Sequence, residues 1–126
     1  MVSGTSNVRC LIVDDSANFR DAASKMLERA GIEVVGMASN GADALTRFRQ
    51  LSPDVTLVDV DLGVESGFDL VVQLCQATTP SPSVILISTH SEQDFLDMIA
   101  ASPAIGFLPK FALSPDAIRD LVATRG

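Results

Sequence analysis

Short apolar runs and amphipathic stretches take turns along this chain. The runs are Val8–Val13, Val34–Ala38, Val55–Asp59, Val84–Ser88 and Ile105–Leu108. They are rich in Val, Ile and Leu, and most lack the apolar/polar alternation of a half-exposed strand. They therefore predict strands covered on both faces. Between them, apolar positions recur at helical spacing. Ser16–Arg29 aligns Phe19, Ala22, Ala23, Met26, Leu27 and Ala30 on one stripe, with Gly31 as a stop. Asn40–Gln50 groups Ala44, Leu45 and Phe48 and ends before Pro53, Ser66–Gln76 groups Leu70, Val71 and Leu74, and Glu92–Ala101 groups Phe95, Met98 and Ile99. Thr78 to Pro82 reads as a loop. The last helix is expected after Ser114 as N-cap, with Pro115 in its first position and Ile118, Leu121 and Val122 on its apolar face.

Five strands alternating with five helices predict an α/β fold, a doubly wound five-stranded parallel sheet flanked by helices. Such a sheet places its functional crevice at the carboxyl ends of the strands. Asp14 and Asp15 end the first run, Asp59 the third and Ser88 the fourth, and Lys110 follows the fifth. One polar residue at a strand end is ordinary; four strands ending in complementary chemistry on one edge form a candidate site. Three carboxylates converging there repel one another unless a cation sits among them. Magnesium suits such a place because it accepts one or two carboxylates, keeps waters and leaves positions for phosphate oxygens. The plainer alternative is that Asp14 or Asp15 caps the following helix. Asp59 beside a cation can act as a nucleophile toward phosphorus, giving an acyl phosphate. Lys110 can supply a second positive charge and Ser88 a hydrogen bond to a phosphoryl oxygen. Taken singly, Lys110 reads as a solvated strand-end lysine and Ser88 as a turn residue.

Composition narrows the partners. A chain of 126 residues fits one domain, with its core expected at residues 8–124. It is 47% apolar with six Phe and no Trp or Tyr, so the core must be largely aliphatic. Acidic residues outnumber Lys and Arg by 16 to 9, a formal charge of −7, which argues against direct binding of nucleic acid or an anionic membrane. The partners expected of such a surface are proteins or cations. Cys10 and Cys75 lie in apolar stretches without metal-ligand spacing and read as buried thiols. Residues 1–9 have no apolar core like that of a signal peptide, and no apolar run is long enough to span a bilayer. A cytoplasmic setting is the expectation.

Four segments, Leu11-Ile12-Val13-Asp14-Asp15-Ser16, Thr56-Leu57-Val58-Asp59, Leu86-Ile87-Ser88 and Gly106-Phe107-Leu108-Pro109-Lys110, give the chain a family likeness. In order, spacing and strand-end placement they resemble the receiver domain of bacterial two-component response regulators, over residues 8 to 124. The resemblance implies a flavodoxin-like sheet with strand order 2-1-3-4-5. It implies Asp59 as the phosphorylation site, Asp15 as a direct magnesium ligand, Asp14 acting mostly through water, and the backbone carbonyl of Asp61 completing the protein's share of the coordination. Ser88 and Lys110 would bind the phosphoryl group. Phe107 stands where the family keeps its switch aromatic, and a buried core ring is the plain alternative. A sensor histidine kinase is the implied phospho-donor, and an output domain or effector protein the implied recipient of the signal.

Several positions depart from the family pattern. Leu62 and Gly63 replace the usual Met-Pro pair, while Gly67 falls where the family keeps a glycine. Gly in place of Pro predicts a more flexible loop from Asp59 to Gly67. Asp61 adds a carboxylate that disfavours an incoming anion, and Thr89 stands where a smaller residue is common. His90, the only histidine, reads mainly as a surface loop residue. Phe111 occupies the place where Pro often follows the lysine, which leaves the isomer of the Lys110–Phe111 bond open.

Three readings follow. The first is a phosphorylation switch acting through the face made by the fourth helix, fifth strand and fifth helix. A homodimer through such a helical face is one expected assembly. The fourth-helix candidate carries Glu92, Asp94 and Asp97 and no Lys or Arg. The charge-paired dimer of winged-helix regulators is therefore expected to be absent, and phosphate-dependent association through reciprocal Arg–Asp pairs would overturn that. The second is a pseudo-receiver, a binding module that is not phosphorylated. The third takes Asp59-Val60-Asp61 as the DxD start of a haloacid-dehalogenase-like phosphatase, which predicts sustained phosphomonoester turnover lost in Asp61→Asn.

Overall fold

The computed structural model describes residues 8–77 and 82–125. Five parallel strands form one sheet: β1 (Arg9–Val13), β2 (Glu33–Ala38), β3 (Val55–Asp59), β4 (Ser83–Ser88) and β5 (Gly106–Pro109). Their order across the sheet is β2-β1-β3-β4-β5. Parallel neighbours need a crossover, and helices supply it. These are α1 (Ala17–Arg29), α2 (Gly41–Leu51), α3 (Gly67–Ala77), α4 (Leu96–Ala101) and α5 (Pro115–Arg125). The chain runs outward from β1 to β2 and returns to pair β3 on the other side of β1. The strand order therefore reverses between β1 and β3, and their carboxyl ends open the crevice of a doubly wound sheet.

Two-residue periodicity explains why unbroken apolar runs became the central strands. Alternate residues enter opposite layers. Leu11, Val13, Val58, Val84, Leu86 and Phe107 pack on one face with Phe48, Leu70, Val71 and Leu74 of α2 and α3. Cys10, Ile12, Val55, Leu57, Ile85 and Ile87 pack on the other with Ala23 and Leu27 of α1 and Ile118 of α5. Cys10 is buried, which pushes its thiol up to about 12 and keeps it protonated. Among the described residues no helix is long and apolar enough to cross a membrane.

Most boundaries fall within one residue of the expected ones, and the caps explain the offsets. Ser16 and Asn40 precede their helices in extended backbone and accept the N–H groups of Phe19 and Asp43. Ala22, expected on the buried stripe of α1, is exposed. Most of the expected Thr78–Pro82 loop, residues 78–81, lies outside the described residues.

Two elements differ from expectation. The helix expected over Glu92–Ala101 divides into a 3₁₀ turn, Glu92–Phe95, and the short α4. Ser91 makes no capping bond to the backbone, its hydroxyl standing 3.5 Å from the Asp94 carboxylate, and Phe95 leaves helical geometry at φ −131° and ψ 18°. Its ring turns inward, 5.8 Å from Phe68 and 6.1 Å from Phe107 between centroids. The expected flexible loop after Asp59 contains a small antiparallel hairpin, Asp61–Leu62 against Glu65–Ser66. Gly63, at φ +75°, stands first in its two-residue turn, where a II′ turn requires positive φ. Glycine here makes a tight turn possible that proline at the same place would forbid. Glu65 then ties the hairpin to α2 by accepting the Gly41 N–H at 2.7 Å.

Candidate functional site

Three strand ends on one edge are built alike. Asp14 Oδ1 accepts the Ser16 N–H at 2.8 Å, Asp59 Oδ1 accepts the Asp61 N–H at 3.1 Å, and Ser88 Oγ accepts the His90 N–H at 3.0 Å. In each case the N–H two residues on holds the side chain, the local bond that Asp and Ser form readily at turns. Asp14 thus braces the turn before α1 while Ser16 caps the helix, so the simple N-cap alternative does not describe Asp14. Sheet register does the rest. Val13 pairs with Val58, Asp59 with Ile87 and Ser88 with Pro109, so Asp14, Asp59, Ser88 and Lys110 follow one another along the rim.

Asp14 is fully buried, Asp59 is 6% exposed, Ser88 is buried and Asp15 is exposed. One carboxylate oxygen from each of Asp14, Asp15 and Asp59 lies within 4.8 Å of the others. Lys110 Nζ stands 2.6 Å from Asp14 Oδ2, 3.2 Å from Asp59 Oδ2 and 4.2 Å from the centre of the Phe19 ring. The Arg20 guanidinium donates to the Asp14 backbone carbonyl. Three carboxylates therefore face one directly paired ammonium. Asp61 is exposed, is not one of the three clustered carboxylates, and contributes its N–H to Asp59. Thr89 and His90 are exposed, and the His90 ring meets the Phe95 ring edge-on at 6.0 Å. Phe107 is buried and Phe111 exposed. Phe107, Phe95 and Phe68 thus form a chain of rings from β5 to α3.

Charge and burial set the proton affinities. Burial pushes the Asp59 carboxyl up to about 6 and the Asp14 charge adds to the rise, while the Asp61 N–H and Lys110 pull against it. Burial alone would lower Lys110, but Asp14 and Asp59 overcome it and hold the ammonium above the ordinary lysine value. A carboxyl raised in the folded state contributes stability that is complete below its unfolded value and is lost as pH rises through its folded one. A rise from about 4 to about 6 is equivalent to about 3 kcal/mol at most. Asp59→Asn is therefore expected to raise the urea midpoint at neutral pH without divalent cation, and the gain should vanish below about pH 4. A midpoint unchanged or lowered at neutral pH would contradict this origin of the strain.

Some contributors were absent from the sequence reading. Phe19 was placed only on the core stripe of α1, and Arg20 was not considered, although a cation in the helix turn following an acidic pair is a readable signal. Glu65 carried none, because its partner Gly41 lies 24 residues away.

A family model for the response regulator receiver domain matches residues 10–123. A protein-glutamate methylesterase/protein-glutamine glutaminase of Halalkalibacterium halodurans is 36% identical over 123 residues, covering 93% of this chain and 35% of that protein. The chain spans about a third of the length of the methylesterase relatives it matches. The chemotaxis protein CheY of Thermotoga maritima is 29% identical over 102 residues, 81% of this chain and 84% of that one. Among solved structures, the signal receiver domain of the response regulator NarL from Mycobacterium tuberculosis aligns with TM-score 0.83 and 28% identity over 94% of this chain and 98% of that one. With all but its two ends matched by the family model, this chain belongs to the response regulator receiver domains of two-component signalling.

Proposed function

We propose that this receiver domain is a phospho-accepting switch in which Asp59 takes a phosphoryl group from a sensor histidine kinase or a small phospho-donor. What supports this reading above all is the buried Asp59 carboxylate, 3.2 Å from Lys110 Nζ and among the oxygens of Asp14 and Asp15. An Asp59 oxygen attacks phosphorus, the bond from phosphorus to the donor nitrogen or oxygen breaks, and the donor leaves with the electron pair. Asp59 is left as an acyl phosphate. Little covalent assistance is needed, so positioning and charge dominate.

The residues present suit magnesium. The donor set is all oxygen, and three carboxylates share one paired ammonium, Lys110, which stands 2.6 Å from the buried Asp14 Oδ2. Asp14, Asp15, Asp59 and the Asp61 carbonyl would hold the ion, which when bound offsets negative charge at the reacting phosphoryl. Lys110, shared between two carboxylates beforehand, can transfer its charge to the phosphoryl oxygens. The Ser88 hydroxyl accepts from His90 N–H and keeps its own proton to donate. Drawing Ser88 toward the phosphoryl group alters the space above Phe107, and that change biases a two-state equilibrium read by an output domain or effector protein in the cytoplasm.

The test is intact mass after incubation with acetyl phosphate and magnesium, repeated with a histidine-kinase donor. One phosphoryl adduct is expected in the wild type, absent in Asp59→Asn and absent with excess chelator. No adduct from either donor, together with no magnesium-induced change in stability, would leave a binding module in place of a switch.

A further inference from the structure

We propose that the groove between α3 and α4 docks a basic amphipathic helix of a partner protein. Its first support is an apolar surface that the fold leaves uncovered. None of the residues from Glu92 to Ala101 is buried, Leu96 is 53% and Met98 50% exposed, and Val72 across the groove is 40% exposed. Phe68, Asp69, Val72, Met98, Ala101 and Ser102 line the groove. Exposed apolar side chains facing one another from two helices form the wall type that receives the apolar stripe of a third.

Charge selects the occupant. Every Lys and Arg of the chain lies at or before Arg49 or at or after Lys110, so residues 50–109 contain no basic side chain except His90. The same segment holds eight acidic residues, among them Asp69, Glu92, Asp94 and Asp97. These four are exposed, and no ion pair reaches them among the described residues. Asp69 lines the groove itself, and Asp97 adjoins Met98 of its lining in sequence. An anionic membrane or a nucleic acid is repelled by this charge, whereas lysines flanking an apolar stripe complement it. Phe68 ends the chain of rings that starts at Phe107, so the groove adjoins the proposed switch without depending on it.

The test titrates the unphosphorylated full chain with labelled synthetic peptides of about 18 residues, five helical turns. One carries leucines at i, i+3, i+4 and i+7 with lysines elsewhere; a second replaces leucine by serine, and a third replaces lysine by glutamate. The Leu/Lys peptide is expected to bind roughly tenfold tighter than either control, with amide shifts confined to α3, the 3₁₀ turn and α4. Val72→Ser with Met98→Ser should weaken it roughly tenfold while the urea midpoint stays within about 0.5 kcal/mol of wild type, because both side chains are exposed. Asp69→Asn with Asp97→Asn should weaken it and reduce its salt dependence. Equal binding of the Lys/Ser peptide, or shifts centred on another face, would overturn the proposal. So would self-association of the chain abolished by Val72→Ser with Met98→Ser, because a second copy would then be the occupant. Phosphorylation enters none of these measurements, so failure of Asp59 to accept phosphate leaves them intact.

Discussion

Gly67→Ala is expected to destabilise the protein by about 2–3 kcal/mol and to remove the phosphoryl adduct with it. Gly67 opens α3, and a methyl group there collides with the carbonyl of Asp59 and the Cα of Val60. All the obstructing atoms are backbone, and one belongs to the proposed phospho-acceptor itself. Relief requires β3 to part from α3, which also breaks the Gly67 N–H bond to the Val60 carbonyl, 2.8 Å long. General expectation has the opposite sign, since Gly→Ala at a helical residue with ordinary φ stabilises by roughly 0.4–1 kcal/mol. Gly41→Ala is the internal control. It also opens a helix, but the atoms nearest its methyl are the side-chain end of Glu65, at 3.3 Å, which can shift without moving backbone. Urea midpoints of the two variants with adduct yield should therefore separate sharply. A Gly67→Ala protein as stable and as readily phosphorylated as wild type would show that the two backbones do not touch as described.

Lys110→Met is expected to cost about 3 kcal/mol at neutral pH, the low end for breaking a buried charge pair, because Asp15 keeps the site partly open to water. Methionine retains much of the side-chain volume and removes the ammonium, with its contact to the Phe19 ring. Asp14 and Asp59 are then buried carboxylates without their counter-ion. Lys110 lowers the Asp59 proton affinity, so its removal raises that affinity further. The sign follows: the deficit is largest above the folded value, about 6 or higher, and shrinks as pH falls and the carboxyls take up protons. Magnesium should recover part of it, and the adduct should form slowly or not at all. Urea unfolding across pH, with and without magnesium, checks all three. A pH-independent deficit would mean lost packing or lost contact with the Phe19 ring, with no part played by the carboxylates.

Asp59, Asp14 and Lys110 were legible as a group because their positions follow from topology. Each comes at or just past the end of an apolar run, and parallel strands joined by helices bring all such ends to one edge. Less legible was the manner of their holding. The bonds from Ser16, Asp61 and His90 N–H groups are local, spanning two residues, and Asx-turn chemistry could have anticipated them. The hairpin at Gly63 is not legible from backbone freedom alone, because the positive φ of glycine there serves a tight turn. The 3₁₀ turn before α4 was missed because its cause, Phe95 turning toward Phe68 and Phe107, lies on two distant elements.

By itself, then, the sequence determined the five strands, the five helical segments and the acidic edge, because hydrophobic periodicity and the connection rules admit few other arrangements. Only the tertiary structure decided how one ammonium is shared between Asp14 and Asp59, how far burial raises Asp59, and which side of α4 stays bare. Those outcomes depend on desolvation and on contacts between residues dozens of positions apart, which no local propensity encodes.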